Sequence, residues 1–251
     1  MKQNKTLIFA AAALMIAASM VAAPNAKASD LAPGEGFFAG AFVGFGTGIL
    51  QAKVTGLEAG ANTFETARGG IGLSGIQGGG WTGWGFKTAD DIYIGAELSG
   101  HGSDEKFELT ASSALSSDNG TIGGNITSIQ IKRNWSATPA LRIGYYVNKD
   151  TLFSIKGGFA VSEFDVDIGD SSEQYYAGGP QFGATIDSRI SKIDPNLSIR
   201  MEFLITNYLT ADVLGRDGQG TRTGGGTGYQ AELTGIDTAG RVGLTYNFNA
   251  F

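Results

Sequence analysis

The chain has no cysteine and a single histidine, His101. Without thiols there is no disulfide framework and no cysteine-ligated metal, and one imidazole removes most histidine-based catalytic and metal constellations. Charged residues make up only 17% and prolines number five in 251 residues. A disordered chain would be richer in charge and poorer in apolar groups than the 42% present here. Basic residues are outnumbered, 18 Lys and Arg against 24 Asp and Glu, which excludes nucleic acid as an expected partner, since that ligand wants clustered positive charge. Beyond the first residues, no run reaches the 18 or more apolar residues of a membrane-spanning helix.

Glycine is what the chain has in excess: 40 residues, about twice the usual share. At the start, Lys2 and Lys5 precede an unbroken apolar run from Leu7 to Ala18, and Ala26-Lys27-Ala28 supplies an A-x-A site. These features read as a secretory leader, residues 1–28, cleaved to leave one domain of 29–251. An exported, glycine-rich chain without a spanning helix is either a soluble β-protein or an outer-membrane β-barrel, and alternation decides between them.

A barrel strand in lipid is apolar at every second position and uncharged there. Phe37, Ala39, Ala41, Val43 and Phe45 alternate with Phe38, Gly40, Phe42, Gly44 and Gly46. Thr82, Trp84 and Phe86 set a looser phase in Gly75–Lys87. Ile92, Ile94, Ala96 and Leu98 oppose Tyr93, Gly95, Glu97 and Ser99. The same pattern recurs over 129–147, 151–162, 197–206 and 240–248, and a weaker segment near 175–190 makes eight. Glu97, Arg142, Lys156, Arg200, Glu202 and Arg241 all fall on the parity rich in glycine and small residues. A soluble sandwich would instead spread its charges along a wet outer face. The expected fold is therefore an all-β, eight-stranded antiparallel transmembrane barrel in up-and-down order, with those six charges in its interior. Connections agree, alternating short turns at 88–90, 148–150 and 194–196 with longer loops at about 51–73, 101–128, 163–174 and 207–238. Pro139 cannot donate to a ladder, so a bulge or interruption is expected there.

Gly36-Phe37-Phe38-Ala39-Gly40-Ala41, Tyr93-Ile94-Gly95-Ala96-Glu97, Leu141-Arg142-Ile143-Gly144-Tyr145, Lys156-Gly157-Gly158-Phe159-Ala160, Arg200-Met201-Glu202-Phe203 and Arg241 to Phe248 together resemble the small OmpA-like and opacity-type outer-membrane proteins. The resemblance implies a Gram-negative outer-membrane barrel with its termini in the periplasm. It also implies an interior cluster at Glu97, Arg142, Lys156 and Glu202 that plugs or gates the bore. The family's terminal aromatic, read by the barrel-assembly machinery, corresponds to Phe248 or Phe251, and no peptidoglycan-binding domain is expected after it. The implied role is structural, with at most a narrow gated pore. Outer-membrane lipid and lipopolysaccharide are the expected partners, with a host or matrix ligand at the loops if the protein is instead an adhesin.

Other motifs carry less. His101 and Ser103 are spaced like the catalytic pair of lipid A deacylases, which gives a third reading as a lipid-modifying hydrolase. Their strand phase points them inward or into a loop base, away from lipid, and no catalytic residue is assigned. Gly70-Ile71-Gly72-Leu73-Ser74-Gly75 matches a dinucleotide fingerprint but lacks the following helix, so no cofactor is expected. Asp165, Asp167, Asp170 and Glu173 lack calcium-loop spacing and read as a solvated hairpin tip, with no metal. The sequon at Asn125–Thr127 is set aside in a bacterial context. Trp84, Trp135, Tyr145 and Phe248, with Trp81 and Tyr146, are candidates for the interfacial aromatic girdles.

Overall fold

In the computed structural model, eight long strands follow one another around a closed ring. They are β1 (Gly36–Gly56), β2 (Ile71–Lys87), β3 (Ile92–Ser103), β4 (Ser128–Asn148), β5 (Thr151–Ile168), β6 (Ser171–Arg189), β7 (Leu197–Val213) and β8 (Tyr229–Phe248). Each pairs antiparallel with the next, and β1 closes on β8 from Phe37↔Phe248 to Gly56↔Tyr229. The structure describes residues 31–56, 63–65, 71–88, 90–110, 116–117, 120–121, 128–168, 171–213 and 229–248. The leader, Phe251, Gly70, Asp170 and the sequon lie outside the described residues.

The short turns form from their own side chains. Asp150 N–H donates to Asn148 Oδ1 at 2.9 Å, and Asn196 N–H to Asp194 Oδ1 at 2.7 Å, the Asx geometry that reverses a chain tightly. Asp91 sits at φ +59°, clamped by Lys87 at 2.6 Å.

Alternation sorts the side chains as the sequence implies. Phe37, Val43, Phe45, Ile94, Leu98, Leu141, Ile143, Ile155, Phe203 and Val242 are exposed on the outside. They make a belt roughly 25–30 Å tall for strands tilted near 40°. Glycines on the inner parity leave room for large neighbours. A Cβ on Gly40 would lie 2.3 Å from Trp81 Nε1, so the indole can enter only because that position is bare.

Three expectations change. The strands run further than the alternation shows: β5 reaches Ile168 and β6 begins at Ser171, so Asp165 and Asp167 lie on a strand and not on a hairpin tip. β7 reaches Val213, and β8 begins at Tyr229. On β5 beyond the belt the apolar parity reverses, with Phe164 and Val166 buried inside and Glu163, Asp165 and Asp167 on the outer face, so the apolar-outward signal of a lipid-facing strand disappears. Trp81 and Tyr146 point into the bore, at 3% and 2% exposure, and belong to no outer girdle. The interruption expected at Pro139 is present: the β4–β5 ladder skips Thr138 and Pro139 and resumes at Ala140↔Gly158 in unchanged register, while the register shifts lie between Arg133 and Trp135 and between Tyr146 and Asn148.

Candidate functional site: an ion-paired bore

The six charges expected inside all point inward and are buried. Four more join them: Glu105, Arg133, Asp187 and Asp237. The described interior thus holds five cations (Arg133, Arg142, Lys156, Arg200, Arg241) and five carboxylates (Glu97, Glu105, Asp187, Glu202, Asp237). Isolated charges in such a medium would be very unfavourable, and pairing with full hydrogen bonding offsets that penalty.

The central layer is continuous across six strands, β3 to β8. Glu97 on β3 accepts from Lys156 Nζ at 2.7 Å, Arg200 Nη1 at 2.6 Å and Arg142 Nη1 at 3.3 Å. Asp187 on β6 accepts from Arg142 Nη2 at 2.6 Å and from Arg200 Nε. Glu202 on β7 accepts from Lys156 at 2.8 Å and Arg241 Nη1 at 3.4 Å. Ser154 and Thr185 take further Arg142 protons. Aromatic faces cover the guanidinium planes: Arg200 lies 4.5 Å from the Trp81 ring and Arg241 4.5 Å from Phe42, an arrangement that stabilises a desolvated cation. Trp81 stacks on Phe42 at 5.0 Å and donates Nε1–H to Thr245 Oγ1 at 2.9 Å.

Toward the loop end, Arg133 pairs with Glu105 and, at 2.6 Å, with Asp237. It also donates to Tyr208 OH at 3.1 Å. Gln77 links the layers, accepting from Arg241 Nε at 2.9 Å and donating to Glu105 at 3.5 Å.

Toward the turn end, residues 31–35 fold into the mouth. Tyr146 OH donates to the Pro33 carbonyl at 2.9 Å, and Asn247 Nδ2 donates to the carbonyls of Ala32 and Glu35 at 3.1 and 2.8 Å. Ala32 packs with Tyr93, Tyr146 and Leu152. Gly34 adopts φ +80° directly against the Tyr93 ring, where a Cβ would lie 3.1 Å away.

His101 and Ser103 do not act on each other. Arg241 Nη2 lies 3.1 Å from His101 Nδ1, and since arginine only donates, that nitrogen accepts. Ser103 Oγ donates to the Arg133 carbonyl at 2.9 Å. Of the outward aromatics, Trp84, Tyr145 and Phe248 sit near the turn end, and Trp135 lies against Tyr176 at 6.1 Å near the loop end.

No protein-family model matches the chain, and no curated protein matches it either. Solved structures do. The outer-membrane protease OmpT of Escherichia coli aligns over 87% of this chain and 98% of its own, at 12% identity and TM-score 0.49. The outer-membrane protein OprG of Pseudomonas aeruginosa covers 87% and 99%, at 15% identity and TM-score 0.49. Ail, the attachment invasion locus protein of Yersinia pestis, covers 82% and 99%, at 9% identity and TM-score 0.35. The likeness is one of fold.

The four interior charges that sequence reasoning missed have separate causes. The bulge at Asn134 inverts the phase, so Arg133 turns inward although it shares Trp135's parity. Asp187 lies in the weakly phased sixth strand, and Glu105 and Asp237 fall in stretches that alternation assigns to loops. One signal was available: the six expected charges comprise four cations and two carboxylates, and a low-dielectric interior cannot hold that imbalance.

Proposed function

We propose that the protein is an integral barrel of a Gram-negative outer membrane, matured by removal of residues 1–28, with a structural role in envelope integrity and at most a narrow, gated pore. The carrying observation is the charge-matched bore: a conducting path would have to part Glu97, Asp187 and Glu202 from their cations. An eight-stranded barrel has just enough interior for side chains to fill it, and the 31–35 segment stops one mouth. The outward belt has the height of a hydrocarbon core and supports the membrane reading, with lipid and lipopolysaccharide around it. Phe248 and Phe251 are the proposed signal to the assembly machinery. Planar-bilayer recording tests the reading: the wild type should be silent or show only small events, and Arg142→Ala should conduct more. Large, steady wild-type channels would overturn it.

A second reading, adhesion to a host or matrix ligand, draws on the length of the strands. β1 and β8 stay paired to Gly56↔Tyr229, well past the last apolar outward pair at Ile49↔Ile236, which lifts the loops clear of the membrane. Loop deletion separates the two readings, since an adhesin would lose attachment while envelope resistance stayed intact.

A further inference from the structure

The ladder between β6 and β7 ends early. Pairing runs from Arg189↔Ser198 to Gln181↔Thr206 and stops there, although β6 extends back to Ser171 and β7 on to Val213. Two local features account for this. Pro180 has no N–H to offer its neighbour, and β7 shifts register between Tyr208 and Ala211 while remaining on β8. At Gly179 the two backbones still touch, since a Cβ there would meet the Asn207 carbonyl, so the seam opens just beyond that pair. By contrast, β5 and β6 stay paired to Ile168↔Ser171, and β1 and β8 to Gly56↔Tyr229.

Behind the seam the bore changes character. Tyr175 from β6, Phe164 from β5 and Tyr208 from β7 turn inward and are buried. Phe164 stacks on Tyr175 at 5.4 Å and meets Tyr208 edge-on at 5.3 Å. Outside, Tyr176, Phe182 and Leu209 flank the seam at 60%, 64% and 55% exposure. Apolar surface therefore continues from the belt, through a stretch of wall with no β6–β7 ladder pair among the described residues, onto aromatic rings. The charges nearby select against anions. Glu105 and Asp237 already engage Arg133 beneath Tyr208. On the outer face of β5, Asn134 and Gln174 hold Glu163 and Asp165 together. An arriving carboxylate would meet those acids.

Resting on the membrane reading above, we propose that the β6/β7 seam is a lateral binding site for an uncharged, single-chain hydrocarbon drawn from the outer leaflet. Its chain lies against Tyr175, Phe164 and Tyr208. The ladder is closed below at Gly179, and the three inner rings offer a contact face for one chain.

Photolabelling tests this with the whole protein in phospholipid vesicles. The probes are a diazirine-bearing long-chain alkanol and the matching alkanoate, the latter at alkaline pH, with adducts located by mass spectrometry. The alkanol should label Tyr175, Phe164 and Tyr208 as well as Phe182 and Leu209, and the alkanoate should label the inner three far less. Ala177→Trp, placing a bulky ring at a buried position beside Tyr175, should abolish inner labelling and spare the outer pair; its folding is checked by gel migration with and without boiling. Alkanol adducts confined to Phe182 and Leu209 overturn the site, as does equal inner labelling by the alkanoate. Both of those comparisons need only the wild type. Inner labelling undiminished in folded Ala177→Trp also overturns it. Absence of labelling at Phe182 and Leu209 would instead sink the membrane reading itself.

Discussion

Arg142 on β4 donates from Nη2 to Asp187 Oδ2 on β6 at 2.6 Å, with both side chains shut off from solvent. Asp187 also takes Arg200 from β7. One carboxylate thus ties together two guanidinium groups from strands on either side of it, and each guanidinium reaches on to Glu97.

Because of that double engagement, Asp187→Ala leaves two buried cations short of a partner. Breaking a buried pair by removing one member typically destabilises by about 3–5 kcal/mol. Urea unfolding of the refolded barrel in vesicles should show a loss of that order. A loss near that of a surface substitution would mean that the network does not hold the bore together.

Glu97 and Lys156 share one bond at 2.7 Å and many neighbours. Glu97→Gln and Lys156→Met should each destabilise, and the double variant should be less unstable than their sum. Coupling in such networks runs about 0.5–3 kcal/mol. A double-mutant cycle on the same unfolding assay measures it, and strict additivity would show that the two side chains act separately.

Glycine on the inner parity is a packing requirement. At Gly40 an added Cβ would meet the Leu244 carbonyl and Trp81 Nε1, both at 2.3 Å, whereas at Gly240 nothing lies within 4 Å. Gly40→Ala should therefore destabilise by about 1–3 kcal/mol through overpacking, while Gly240→Ala is neutral. Equal effects at the two sites would contradict the inside–outside assignment.

The three tryptophans report sidedness directly. Trp81 is buried in the bore, while Trp84 is 53% exposed on the belt. In vesicles of brominated lipid, a variant keeping only Trp84 should be strongly quenched and one keeping only Trp81 should keep its emission. Quenching of both alike would place the bore in contact with lipid.

Much of the barrel was legible because an apolar exterior and a narrow charged bore impose opposite demands on alternate residues. That contrast is sharp at Ile92–Leu98, where every outward position is apolar and Glu97 stands inward. It reverses beyond the belt, as on β5, where Phe164 and Val166 turn inward while Asp165 and Asp167 lie on the outer face, and it shifts phase at a bulge, as at Arg133. The aromatic residues show the same limit. Trp81 and Trp84 are chemically identical, and their opposite fates follow from a phase that glycine-rich β2 carries only faintly.

By itself, the sequence determined strand count, order, sidedness and the inward placement of six charges, because each depends on local alternation and turn chemistry. Only the closed structure decided which charges meet, that Glu105, Arg133, Asp187 and Asp237 complete the balance, and that the β6–β7 ladder ends at Gln181↔Thr206. Those outcomes depend on cross-strand register and on bulges that shift it by one residue, and residues far apart in the chain become partners only when the ring closes.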